Sequence, residues 1–227
     1  MKYDVIIIGA GPGGIFSAYE LMKSEPDLKI AIFEKGRPLE RRKCPIDGVK
    51  IKTCINCPTC QIMSGFGGAG AFSDGKYNIT NDFGGTLYEH IGKDKAIDLM
   101  KYVDSINVSH GGENTKLYST AGTEFKRICM QNKLTLLDAS VRHLGTDINY
   151  IVLGKLYDEL KEKVTFFFET EIKKVEIADN GYRVLYDGGS DECDKCIISV
   201  GRSGSKWMEK VCEDLEIPTQ SNRVDLG

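Results

Sequence analysis

Tyr3-Asp4-Val5-Ile6-Ile7-Ile8-Gly9-Ala10-Gly11-Pro12-Gly13-Gly14 decides the fold. Tyr3, Val5, Ile6, Ile7 and Ile8 make the apolar run that a buried parallel strand needs, and it stops at spaced glycines before a helical pattern opens. In such a strand-turn-helix, Gly9 permits the tight turn and Gly11 lets backbone approach a pyrophosphate with no Cβ in the way. Gly14 lets the helix pack closely on the strand. The helix carries Ile15, Ala18, Tyr19 and Met22 at i, i+3, i+4 and i+7, so one face can lie on a sheet while its amino end points at a ligand. Unpaired N–H groups and the helix dipole favour an anion there, the dipole by roughly 0.3–1 kcal/mol.

Working outward, residues 29–33 read as a second strand that closes at Glu34, 20 residues beyond Gly14. This fold places a carboxylate there to accept a ribose hydroxyl, and that carboxylate would repel a ribose 2′-phosphate. Gly65-Phe66-Gly67-Gly68-Ala69-Gly70 also fits G-x-G-x-x-G, which shows how little the bare pattern means, because no strand precedes it. The first copy has strand, helix, second strand and acidic residue in register.

A chain of 227 residues buries something like 70% of its unfolded surface, enough for one large domain or two small ones. No apolar stretch approaches the ~20 residues of a membrane helix. A strand beginning at Tyr3 leaves no room for a signal peptide ahead of it. A soluble, cytoplasmic protein with no membrane partner is expected. The net charge of −3, from 30 basic and 33 acidic residues, supplies no field that would recruit nucleic acid. The 25 glycines are about 11% of the chain against a usual 7%, and they concentrate at 9–14, 65–75 and 201–204. Backbone crowded against a ligand accounts for that clustering, and a small-molecule substrate is the expected partner. The oligomeric state is not legible.

After Glu34 come Lys35-Gly36-Arg37-Pro38, a basic run through Lys43, a cysteine cluster and a glycine loop ending in Ser73-Asp74-Gly75-Lys76. Excursions of that length are usually functional or disordered, and so many cysteines and glycines argue against disorder. Residues 93–107 read as a helix with Ile97, Met100, Val103 and Ile106 on one side, 123–132 as a shorter one, and 134–144 as extended chain. Thr146 or Asp147 caps a further helix with Ile148, Val152, Leu156 and Leu160 every fourth residue. Residues 164–168 suit a buried parallel strand. A small antiparallel meander covers 172–177 and 182–186, turning at Asp179-Asn180-Gly181 and Asp187-Gly188-Gly189. Residues 196–200 return as a buried strand that halts at Gly201-Arg202-Ser203-Gly204, and a last helix carries Trp207, Val211 and Leu215. The ending, 222–227, lacks a compact closing element and reads as cut.

The chain has eight cysteines. Cys44, Cys54, Cys57 and Cys60 form a C-x9-C-x2-C-x2-C set with three readings: a zinc or iron-sulfur site, a redox-active dithiol, or unligated thiols. An iron-sulfur centre would pass electrons one at a time. Strand alternation puts Cys193 and Cys196 on opposite faces, so they read as core or edge thiols, as do Cys129 and Cys212. His143 is the histidine placed nearest the nucleotide fold, as a structural or a catalytic group. Arg37, Arg41 and Arg42 are either phosphate partners or solvated surface.

Four segments in order, 4–14, 64–76, 141–147 and 200–204, resemble the FAD-binding half of the glutathione reductase-like flavoproteins, and more narrowly the uncharacterised bacterial FAD-dependent dehydrogenases. The resemblance implies an α/β, Rossmann-like FAD-binding domain of parallel sheet plus antiparallel β-meander, formed by 1–38 with 140–204. A cysteine- and glycine-rich helical and loop insertion covers 39–139, and 205–227 begins a substrate domain that is cut off. It implies FAD held by Gly9, Gly11, Pro12, Gly13, Gly14, Glu34, Lys35, Gly67, Gly68, Ile172 and Gly201, with NAD(P)H as a possible electron donor. The implied activity is that of an FAD-dependent oxidoreductase. The alternatives are an NAD-dependent dehydrogenase using the same cradle and a four-cysteine metal-binding interaction module without catalysis.

Overall fold

The computed structural model describes residues 1–221. In chain order the elements are β1 (Lys2–Ile8), α1 (Pro12–Ser24), β2 (Ile30–Phe33), β3 (Lys76–Ile79), α2 (Leu87–Ile91), α3 (Lys93–Asn107), β4 (Leu117–Ser119), α4 (Glu124–Gln131) and β5 (Ser140–His143). They continue with α5 (Gly145–Leu160), β6 (Val164–Phe167), β7 (Ile172–Ala178), β8 (Gly181–Tyr186), β9 (Gly189–Ile198) and α6 (Ser205–Asp214). Two compact units result: Met1–Gly70 with the chain from Asp158 onward, and Ala71–Tyr157.

The first unit is built on a six-stranded sheet in the order β6-β2-β1-β9-β8-β7. The β6, β2, β1 and β9 neighbours run parallel, while β7, β8 and β9 form the antiparallel meander. All four β2 residues are apolar and buried, which is why that strand lies inside the sheet and not at its edge. Phe33 stacks on Phe167 of the neighbouring strand at 4.5 Å between ring centres. The strand expected at 196–200 is the continuation of the third meander strand. β9 pairs with β8 through Cys193 and with β1 from Glu192 to Ile198, so one strand welds the meander to the parallel sheet.

Cys193 and Cys196 correct the expectation of opposite faces. Both belong to one apolar cluster with Tyr3, Ile6 and Ile8. The amides of Asp4 and Val5 both donate to the Lys29 carbonyl, at 3.0 and 3.3 Å. Such a β-bulge adds one residue and flips the side-chain alternation. β9 keeps step with β1 across this level, Tyr3 opposite Cys193 and Val5 opposite Lys195, and Asp194 and Lys195 both face solvent.

The second unit holds a three-stranded antiparallel sheet in the order β3-β5-β4. Arg142 on β5 meets Asp104 on α3 in a two-pronged pair at 2.6 and 2.8 Å, with a third bond to the Thr115 carbonyl. Helix α3 has the bounds read from the sequence. Helix α5 starts at Gly145, ahead of the expected cap, because Gly145, at φ +75°, turns the chain directly after β5. Of the extended run expected at 134–144, only β5 forms a strand, since that is the part with a partner.

The domain limits also differ from the sequence reading. Residues 39–70 join the first unit, drawn in by bonds from Glu34 and Arg42. Residues 140–157 join the other, because β5 pairs with β3. Helix α6 packs on the first unit: Val211 lies in the core with Ile172 and Val175. The ending read as cut, 222–227, lies outside the described residues.

Candidate functional site

A cavity of about 660 Å³ opens in the first unit where β1, β2 and β9 reach their carboxyl ends. That is where open α/β sheets hold ligands. Gly9, Gly11, Pro12, Gly13, Glu34, Lys35, Gly68, Ile172 and Gly201 all line it. Gly14 and Gly67 stand just behind. Gly67 donates its N–H to the Ala10 carbonyl at 2.8 Å, and a Cβ on Gly14 would collide with the Gly9 carbonyl.

The turn is shaped for an anion. Gly9 adopts φ +101°, and a Cβ there would meet the Ser199 carbonyl oxygen at 2.7 Å. Gly11 caps α1 without a side-chain bond, and Pro12 follows at the first helical position. The first amide to bond back into the helix is that of Ile15, to the Gly11 carbonyl, so the start of α1 is open to an incoming acceptor. Gly11 itself is under no packing pressure. The nearest atom to an added Cβ is Gly68 Cα, at 4.0 Å. Such a Cβ would fill the groove between the two glycine segments, and that groove is the space a pyrophosphate needs.

Glu34 is 6% exposed. Its Oε2 accepts the Ala10 N–H at 2.8 Å, and its Oε1 accepts those of Gly36 and Gly65 at 2.8 and 2.9 Å. An ionised carboxylate has about four acceptor positions. Three backbone amides thus leave room for one further donor, such as a single ribose hydroxyl. Glu34 is a bracket for three loops as well as a candidate ligand group.

The three arginines divide. Arg37 and Arg41 pair with Glu169 at 3.1 Å each in solvent. Arg42 turns inward, 3% exposed, onto three carbonyl oxygens. Burial lowers its pKa to about 10, against the opposing pull of the Glu34 carboxylate. Phosphate pairing by this run is not what the geometry provides.

The four-cysteine set is not drawn together. Cys44, Cys54 and Cys60 are exposed, and among the described residues no three His, Cys, Asp or Glu side chains are disposed to hold one ion. In the second unit, His143 Nε2 lies 4.0 Å from Asp74, whose carboxyl is lowered chiefly by its bond to Lys76.

Sequence reading missed Ser199, Glu171, Met63 and Trp207, all of which line the cavity. Ser199 Oγ reaches the Ile8 and Gly9 carbonyls at 3.1 Å each. Its position just beyond a parallel strand, next to Gly201, was the available signal. Trp207 gives none, since its place depends on the packing of α6.

The parallel sheet, glycine turn, open helix start and acidic strand end define a Rossmann-type α/β fold. The Thi4 family model matches residues 1–38. Thiamine thiazole synthase of Yarrowia lipolytica is 67% identical over 33 residues, 14% of this chain and 10% of that protein. An uncharacterized protein of Clostridium beijerinckii is 21% identical over 212 residues, 92% of this chain and 33% of that protein. Glycine oxidase from Geobacillus kaustophilus superposes with a TM-score of 0.53 at 15% identity, over 95% of this chain and 58% of its own. The chain spans less than two thirds of each of these proteins. No helix among the described residues is long and apolar enough to cross a membrane.

Proposed function

We propose that this chain is the FAD-binding portion of a flavin-dependent oxidoreductase. The observation that carries the reading is the groove between Gly11 and Gly68, which has the uncapped start of α1 at one side and Glu34 close by. The redox chemistry in the name of the superposed glycine oxidase supports the same class.

In this reading the amino end of α1 holds the diphosphate, and the free acceptor position of Glu34 takes one ribose hydroxyl. Phe33 and Ile172 offer an apolar wall to the adenine. Bound flavin supplies the two-electron step, while the protein binds and orients it. Hydride or electrons pass from a reduced donor, NAD(P)H in the simplest form, to a small-molecule acceptor. The ungathered cysteines give no support for an added zinc or iron-sulfur centre.

Apo protein incubated with FAD and then desalted tests this directly. Retained, stoichiometric flavin absorption is expected. A colourless protein that binds NADH would replace the reading with a nicotinamide-dependent one, and a protein that binds neither would end it.

A further inference from the structure

We propose that Arg42 is a positioning residue whose guanidinium holds residues 61–66 so that the second glycine segment forms one wall of the diphosphate groove. This rests on the reading of the cavity as an FAD site. Its consequence is selective: ligands with a diphosphate depend on Arg42, and a monophosphate does not.

Arg42 donates from Nε to the Gln61 carbonyl at 3.0 Å, from Nη2 to Ile62 at 2.8 Å and from Nη1 to Phe66 at 2.6 Å. Only a planar fork with five donors can meet three carbonyls arranged this way, and a lysine ammonium cannot. Burying a cation is costly unless it is well bonded, so simple volume filling would be better served by an apolar side chain.

The held segment is locked to the cradle at its far side. Gly65 donates to Glu34 Oε1 at 2.9 Å, Gly67 donates to the Ala10 carbonyl at 2.8 Å, and Phe66 donates to the Arg37 carbonyl. Gly65 sits at φ +115° with room for nothing more: a Cβ would meet Arg42 Cδ and the Arg37 oxygen at 2.6 Å each. Gly68 follows as the cavity wall facing Gly11 and Pro12, 3.1 and 3.6 Å from where its own Cβ would stand. Arg42 thus acts on the groove through the loop, from behind it.

The test compares wild-type full chain with Arg42→Met, Arg42→Lys and the exposed control Arg41→Met. Affinities for FAD, ADP and AMP are measured alongside amide exchange at Gly65 and Gly67. Arg42→Met should weaken FAD and ADP equally, by about tenfold, the scale of one lost ordering contact, and leave AMP within about twofold. Exchange at Gly65 and Gly67 should speed up while Ile7 in β1 stays protected. Arg42→Lys should fall between, and Arg41→Met should match wild type.

Equal loss for AMP, or an unchanged ADP affinity in either Arg42 variant, overturns the proposal. If Arg42→Met does not fold, Arg42→Lys and the wild-type exchange pattern decide, and unprotected Gly65 and Gly67 amides in wild type overturn it. Wild-type protein that binds neither FAD nor ADP overturns the FAD reading itself. Wild-type protein that binds both, with the Arg42 variants equal to it, overturns only this inference.

Discussion

A methyl group added at Gly14 would collide with the Gly9 carbonyl, whereas one added at Gly11 would project into the groove toward Gly68. Gly14→Ala should therefore force α1 off β1, costing about 1–3 kcal/mol in a denaturant titration. Gly11 lies at φ −77°, a conformation alanine adopts, so Gly11→Ala should leave stability unchanged or raise it by up to about 1 kcal/mol. It should still weaken FAD binding at least about tenfold. Equal stability loss in both variants would remove the distinction between a packing glycine and a ligand glycine. A second residue-scale prediction concerns Tyr186, whose hydroxyl donates to Asp191 at 2.7 Å. That bond pushes the phenol up to about 12 from an ordinary 10. A pKa raised on folding gives stability that is whole below pH 10 and lost as pH rises toward 12. The stability gap between wild type and Tyr186→Phe should hold steady from pH 7 to 9 and close above pH 10; a gap that persists near pH 12 contradicts it. The cradle residues were legible because each glycine answers a local backbone demand. Glu34 was legible in position but not in its triple bracket, since one of its partners, Gly65, depends on how the later loop folds back. Arg42 was indistinguishable from Arg37 and Arg41 in a basic run until burial separated them.

Elements that satisfy themselves locally were the ones readable in advance. Helix α3 and strands β1, β2, β6, β7 and β8 follow from apolar spacing and turn residues. What failed was parity and allegiance. The bulge at Asp4 and Val5 is invisible in a continuous apolar run, so Cys193 and Cys196 came out on the wrong faces. Helix α6 has an apolar stripe that suits any partner, and only the structure shows Val211 seated with Ile172, Val175 and Val184. Because Val211 is buried there, Val211→Ala should cost the first unit about 1–3 kcal/mol, from lost burial plus a cavity. Trp207, one turn earlier on α6 and bonded through Nε1 to the Lys173 carbonyl at 3.0 Å, reports the event. Its emission should shift at lower denaturant in the variant. An unaltered midpoint would mean α6 contributes nothing to that core.

At the scale of the whole chain, each of the two units has a buried polar anchor of its own. In the Ala71–Tyr157 unit, the Arg142–Asp104 pair is nearly enclosed, with Asp104 7% exposed. Bonding to Asp104 holds the Arg142 pKa above its ordinary value. Arg142→Met would leave a buried carboxylate without its two-pronged partner, and breaking a pair of this kind costs about 3–5 kcal/mol. That loss falls on α3 and the β3-β5-β4 sheet, since the Arg142 partners Asp104 and Thr115 lie in this unit. The single tryptophan, Trp207, belongs to the other unit. In Arg142→Met, helical circular dichroism should therefore begin to fall at lower denaturant than Trp207 emission, with retained FAD tracking the emission. In wild type the two probes should lie closer together. Coincident transitions in the variant would show that the chain unfolds as one cooperative block, with α5 running through Tyr157 from one unit into the other.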